Sequence, residues 1–158
     1  TLFPYTTLFR SRTGVRKHYG AGNMQKLQAE ATGEGVVWLS VISSEKGADG
    51  YVSAAEADKL TASRKASPSH VLLDEKGIIG RKYEARTTPH MFVINADGNL
   101  AYMGGIDDRP TADKADIGRA TNYVREALDA VRKGEAVKTP VSRPYGCSIK
   151  YAPEESRS

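Results

Sequence analysis

Apolar and polar positions alternate along this chain in the manner typical of an α/β protein. Apolar residues at helical spacing predict helices over residues 15–19, 24–32 and 116–133, the last of them ending at Gly134. Asn23 is a predicted N-cap for the second of these helices. Ser53-Ala54-Ala55-Glu56 is a capping-box pattern, which predicts a further helix over residues 54–65. A one- to two-turn helix is expected over residues 78–83.

The predicted strands fall between these helices. Residues 36–43 form a nearly continuous apolar run that is typical of a strand buried on both faces of a parallel sheet. Residues 70–74 predict a second short buried strand. Residues 91–94 and 100–105 flank Asp97-Gly98 and predict an antiparallel hairpin. The order of elements therefore predicts a mixed sheet with helices packed against it.

Thr88 and Pro89 stand directly before the hairpin. Proline cannot donate a hydrogen bond to a sheet, so it marks the entry to a strand there. A Thr-Pro pair at such a place is also a candidate cis peptide bond, which is rare and usually kept for a tight turn.

Composition narrows the class of protein. The chain has 158 residues, 39% of them hydrophobic and 27% charged, which fits one globular domain. The net charge is +4, but the basic residues alternate with acids, so we expect no nucleic-acid partner. No apolar run approaches the roughly 18 residues that a membrane helix needs, so no membrane partner is predicted. A single cysteine excludes an internal disulfide and every multi-cysteine zinc pattern.

The first eleven residues fit no element well. Residues 1–11 resemble an in-frame translation of a common short-read sequencing-library adapter, matched at all eleven positions. We therefore expect a non-native segment over residues 1–11, a domain over residues 12–134 that lacks its native beginning, and a tail over residues 135–158 that carries Cys147.

Separate blocks of the chain resemble one family in order and spacing. These blocks are residues 71–77 with Tyr83, Arg86-Thr87-Thr88-Pro89, Phe92-Val93-Ile94, Asp97-Gly98 and Tyr102-Met103-Gly104-Gly105, together with residues 15–19, 36–44 and 143–151. Over residues 15–151 the chain thus resembles thioredoxin-like redoxins, in particular a peroxiredoxin-like branch of the alkyl hydroperoxide reductase/thiol-specific antioxidant superfamily. The resemblance implies a thioredoxin-like three-layer α/β fold and an antioxidant oxidoreductase that reduces peroxides or exchanges disulfides.

The chain departs from this family where the chemistry is expected. The branch carries a Cys-Pro-Phe-type motif just before the helix at residues 15–19. Carried over position by position, the cysteine slot falls on Arg12, the proline slot on Thr13 and the phenylalanine slot on Gly14. The resemblance therefore implies that the nucleophilic thiol and the N-terminal strands, including a central one, are missing. It also implies that Arg12 is not catalytic and that this chain is inactive, whereas the intact homologue is an enzyme.

The resemblance implies roles for the remaining site residues. Thr88 and a cis Pro89 would form the floor of the site, where the backbone pairs with an incoming thiol or peptide. Cys147 would be a resolving thiol, although an idle tail cysteine is an equally good interpretation. The implied partners are a thiol reductant, either thioredoxin-like or small, and a peroxide or disulfide substrate, with no cofactor. Because members of the branch often carry export signals, the resemblance implies an extracytoplasmic (periplasmic) location, which the residues themselves do not indicate.

Simpler interpretations remain open beside these. Arg16, Lys17 and His18 are expected to be solvated helix charges, although in an intact homologue they could lower the pKa of a nearby thiol. His90 is expected on the surface of its strand, and Asp107-Asp108 are expected to be solvated loop carboxylates. The spacing of histidine, methionine and cysteine matches no metal signature. The alternative function is a non-catalytic binding module, in which the Thr-Pro groove holds a peptide without a thiol.

Overall fold

The computed structural model describes residues 14–154, which form an α/β fold as the sequence predicts. Residues 1–13 and 155–158 lie outside the described part of the chain, and with them the expected adapter-derived segment and the cysteine slot at Arg12. The helices are α1 (Gly14–Gly20), α2 (Asn23–Gly33), α3 (Ala54–Ser63), α4 (Ile78–Lys82), a 3₁₀ helix (Lys114–Arg119) and α5 (Tyr123–Lys133). The strands are β1 (Leu39–Ile42), β2 (His70–Leu73), β3 (Thr87–Thr88), β4 (Met91–Ile94), β5 (Leu100–Gly104) and β6 (Cys147–Ser148).

The strands pair in both directions, as a mixed topology requires. Strand β1 pairs in parallel with β2, and β4 pairs antiparallel with β5 around the turn that contains Gly98. Strand β3 pairs antiparallel with β6. Within residues 14–154 no backbone ladder joins β1 to β4. The sequence predicts one mixed sheet, but the described strands form three separate two-stranded pairs.

Side chains of alternate strand residues pack into two apolar clusters. Met91 and Val93 of β4 face the larger cluster, in which α1, α2 and α5 bury their apolar faces. Phe92 points the other way, into a smaller cluster with Val41 and Ala85, against which Ile79 of α4 packs. Helices thus cover both faces of the strands, which is the layered arrangement that buries an α/β core.

Most predicted element boundaries hold to within two residues, and four features differ from the prediction. Helix α5 begins at Tyr123 rather than at residue 116, because the Asn122 side chain accepts the Arg125 N–H and caps the helix there. The first strand is shorter than the apolar run 36–43. Strand β2 is only partly buried, because it has β1 on one side and no strand on the other among the described residues. Helix α2 begins at Asn23 itself, with Gly22 in the cap position. The Asn23 side chain is used elsewhere, as described below.

The tail packs against the domain rather than extending from it. Its backbone pairs with Met103, whose N–H donates to Pro140 O and whose carbonyl accepts from Ser142 N, both at 3.0 Å. Gly104 makes this contact possible, because a Cβ atom there would overlap Ser142. The tail then crosses to β3 and forms β6. The domain and the tail therefore share one packed structure over the described residues.

Candidate functional site

The cis-proline edge is where the structure brings two of the predicted site residues together. The Thr88–Pro89 peptide bond is cis, as the sequence predicts. In the antiparallel pairing of β3 with β6, Thr88 lies opposite Cys147 and Thr87 lies opposite Ser148. The Ile149 N–H then donates to the Arg86 carbonyl at 3.0 Å. Thr88 and Cys147 are 59 residues apart in sequence (147 − 88) and directly opposed in space.

The side chains at this edge differ in exposure. Thr88 and Pro89 are buried, whereas Cys147, the only cysteine of the sequence, is exposed. Gly146 allows the close approach of the tail, because its φ is +139° and a Cβ atom would overlap the Thr88 carbonyl. An exposed thiol therefore lies beside the cis proline, where β6 pairs with β3.

Next to this edge lies a buried polar cluster that we call the clasp, formed by Lys17, His18, Asp107 and Tyr145. The Tyr145 hydroxyl is 2.6 Å from Asp107 Oδ1, 2.8 Å from His18 Nε2 and 3.4 Å from Lys17 Nζ. Lys17 Nζ is 3.6 Å from Asp107 Oδ2, and both side chains are almost completely buried. A buried ion pair of this kind needs further hydrogen bonds to offset desolvation.

The hydrogen bonds of the clasp run in one consistent direction. The Asn23 amide nitrogen lies 2.7 Å from His18 Nδ1, so Nδ1 accepts and Nε2 carries the proton. Nε2–H then donates to Tyr145 Oη, which in turn donates its own proton to Asp107. Lys17 also donates to the Arg109 carbonyl at 2.7 Å. Every polar group of the clasp is thus satisfied, and the tail is linked to α1 through Tyr145.

Burial in the clasp shifts two pKa values. Burial lowers the pKa of His18 to about 4, against an opposing effect of the Asp107 charge and with a smaller lowering by Lys17. His18 is therefore neutral at pH 7, and its contact with Asp107 is not an ion pair there. Burial and the hydrogen bond to Asp107 raise the pKa of Tyr145 far above its usual value, so its hydroxyl remains a donor.

His90 is a second buried histidine, next to Pro89. Its ring packs on Phe92 at 4.4 Å between centroids, and Nδ1 accepts the Arg86 N–H at 3.2 Å. Its Nε2 has no hydrogen-bond partner within the described part of the chain. Burial, and to a smaller extent the Arg86 charge, lowers the pKa of His90 to about 4.

Three of the simpler sequence interpretations are wrong. Lys17 and His18 are buried rather than solvated, and so are His90 and Asp107, whereas Arg16 and Asp108 are exposed as expected. Lys17 and His18 share two partners, Asp107 and Tyr145, which lie 89 to 128 residues away in the chain and which no local pattern reveals. One sequence feature points to this contact. It is the Pro-Tyr-Gly-Cys segment of the tail, in which Tyr145 stands two positions before the only cysteine of the sequence.

A cleft of about 570 Å³ opens beside the tail, between residues 107–110 and residues 142–146. Its walls include Thr87, Asp107, Arg143 and Tyr145, so it combines charged and aromatic groups. Thr87 pairs with β6, and the cleft therefore reaches the same edge as Cys147. Among residues 14–154 no group of three histidine, cysteine or acidic side chains could hold a metal ion. No helix in this range is long and apolar enough to cross a membrane.

Together, the fold and the site define an α/β protein whose cis-proline edge is covered by its own cysteine-bearing tail. The chain is similar to an uncharacterized conserved protein from Geobacillus kaustophilus, with 21% sequence identity and a TM-score of 0.78, over 98% of this chain and 78% of that one. It is also similar to a hypothetical protein from Sinorhizobium meliloti 1021, with 22% identity and a TM-score of 0.77, over 96% of this chain and 79% of that one. No family model and no curated protein matches the chain. These structural likenesses establish the fold alone.

Proposed function

We propose that this chain is a thioredoxin-like redoxin of the peroxiredoxin-like branch, and that Cys147 acts in it as a resolving thiol. The function is thiol-dependent peroxide reduction or thiol–disulfide exchange. The observation that carries the proposal is the position of Cys147 directly opposite Thr88, the residue before the cis proline. In the family that the chain resembles, this edge pairs with the incoming thiol.

The proposed chemistry needs two thiols. A first thiolate attacks a peroxide, so that an S–O bond forms, the O–O bond breaks and water or an alcohol leaves. The Cys147 thiolate then attacks the sulfenic sulfur; an S–S bond forms, the S–O bond breaks and hydroxide leaves as water after taking up a proton. Two molecules of a thiol reductant restore both cysteines and leave as a disulfide. With a disulfide substrate, the first step is thiol exchange instead.

Position 12 decides whether this chemistry can begin. The family places the first thiol there, whereas this sequence has Arg12. A chain with Arg12 is therefore expected to consume no peroxide by this route, although Cys147 remains available for the second step.

The non-catalytic binding module is less well supported as a function. A peptide would have to pair with the backbone at Thr88, but residues 145–149 of the chain already occupy that edge. The peptide could enter only if the tail were displaced.

Arg12→Cys is expected to restore the reaction. After one equivalent of hydrogen peroxide, the introduced thiol should form an intramolecular disulfide with Cys147, and a dithiol reductant should then support repeated peroxide consumption. Thiol titration, peptide mapping and a peroxide assay measure these steps.

Two matched variants make this test specific. Arg12→Cys combined with Cys147→Ser should accumulate a sulfenic acid that dimedone traps, because no resolving thiol is present. Lys26→Cys places a thiol on the exposed side of α2, where the native side chain is 70% exposed. Equal rates of disulfide formation from positions 12 and 26 would contradict the proposal.

A further inference from the structure

The pairing of β6 with β3 is too small to hold the tail in place by itself. It consists of two opposed residue pairs and the bond from Ile149 N–H to Arg86 O. The side chains of Cys147 and Ser148 are both exposed. Isolated two-stranded pairings are at best marginally stable in water. Other contacts must therefore determine where Cys147 lies.

Two tyrosines flank this short strand and anchor the tail. Tyr145 precedes Cys147 by two residues, and its hydroxyl enters the clasp, where it contacts a carboxylate, an imidazole and an ammonium group. Tyr151 follows Cys147 by four residues, and its hydroxyl donates a hydrogen bond to the neutral Ala85 carbonyl at 2.7 Å. Hydrogen bonds to charged groups are stronger than those between neutral groups. Tyr145 is therefore the stronger anchor.

The clasp also connects the tail to a particular helix. Lys17 and His18 lie on α1, and Asp107 lies in the loop that follows β5. Position 12, the expected cysteine slot, comes two residues before Gly14, where α1 begins. Since Tyr145 binds both Lys17 and His18, the clasp relates the position of Cys147 to that of α1.

We infer that Tyr145 is a positioning residue that holds Cys147 opposite Thr88 and in a fixed position relative to α1. It does so through its contacts with Lys17, His18 and Asp107. This role rests on the proposed function, because it concerns the approach of Cys147 to a thiol at position 12. The clasp limits the motion of Cys147, so that the second thiol attacks from a prearranged position rather than by random encounter.

Tyr145→Phe tests this role, with Tyr151→Phe as its matched control. In the Arg12→Cys background, Tyr145→Phe should slow disulfide formation by about tenfold to a hundredfold, the loss expected when hydrogen bonds to charged groups are removed. Tyr151→Phe should slow it less than about fivefold, because it removes the hydrogen bond to the neutral Ala85 carbonyl. Gly146→Ala, whose added Cβ atom would overlap the Thr88 carbonyl and push β6 away from Thr88, should slow it at least as much as Tyr145→Phe.

Amide hydrogen exchange at Ile149 separates this inference from the proposed function. In the native sequence, Tyr145→Phe should accelerate that exchange by about tenfold or more and Tyr151→Phe by much less, whether or not any thiol reacts. If Arg12→Cys forms no disulfide, the proposed function fails. The exchange rates alone then test whether Tyr145 anchors the tail. A merely structural role would lower the denaturant midpoint but leave the disulfide rate unchanged. That outcome, or equal exchange in the two phenylalanine variants, would overturn the inference.

Discussion

Asp107→Asn is expected to lower the free energy of unfolding by about 3–5 kcal/mol, the usual cost of removing one partner of a buried ion pair. Asp107 is 4% exposed and lies 3.6 Å from the equally buried Lys17 ammonium. It also accepts hydrogen bonds from the Tyr145 hydroxyl and from Arg109 N–H. Asparagine keeps the shape but removes the charge, so the Lys17 ammonium stays buried without its counter-charge. Urea denaturation at pH 7 measures the loss.

Asp108→Asn is the matched control for this change. Asp108 is the neighbouring carboxylate, but it is exposed and its ion pair with Arg109 is long, at 3.9 Å. An exposed substitution of this kind should change stability by no more than about 0.5 kcal/mol. Adding Lys17→Met to Asp107→Asn should recover part of the lost stability, because the uncompensated charge is then gone. If the two asparagine variants are equally stable, the clasp does not contribute as described.

Local sequence patterns predict most of the helices and strands, because the caps and turns that bound these elements are formed by residues close together in the chain. The Ser53 capping box forms with both hydrogen bonds, and Gly134 ends α5 in the left-handed conformation. The hairpin and the cis Thr88–Pro89 bond also follow their local signals. The start of α5 was missed because apolar spacing continues through Ile117, while the Asn122 cap gives the stronger local signal.

The candidate site was predicted only in its separate parts. Thr88, Pro89 and Cys147 could each be named from sequence, but no periodic pattern shows that the tail returns to pair with β3. The burial of Lys17 depends on Asp107 and Tyr145, which lie far away in the chain. Charged residues on a short helix are usually solvated, so only the tertiary structure reveals this exception.

Acidification is expected to destabilise the protein through its two buried histidines. For both His18 and His90, burial lowers the folded-state pKa from 6.5 to about 4. The unfolded state therefore takes up a proton more readily than the folded state between these two pH values. The contribution of the two neutral histidines to the free energy of unfolding is therefore fully present above pH 6.5 and is lost as the pH falls to about 4. Each histidine should account for a loss of about 3 kcal/mol at pH 4.

Histidine variants separate this effect from the titration of carboxylates. The slope of the unfolding free energy against pH gives the number of protons that the protein takes up on unfolding. His18→Gln and His90→Gln should each lower that number by about one between pH 6.5 and 4, since each removes one titrating group. Urea denaturation at closely spaced pH values measures the proton uptake directly. A wild-type slope in His18→Gln would mean that His18 is not buried in its neutral form, and the hydrogen-bond direction assigned to the clasp would then be wrong.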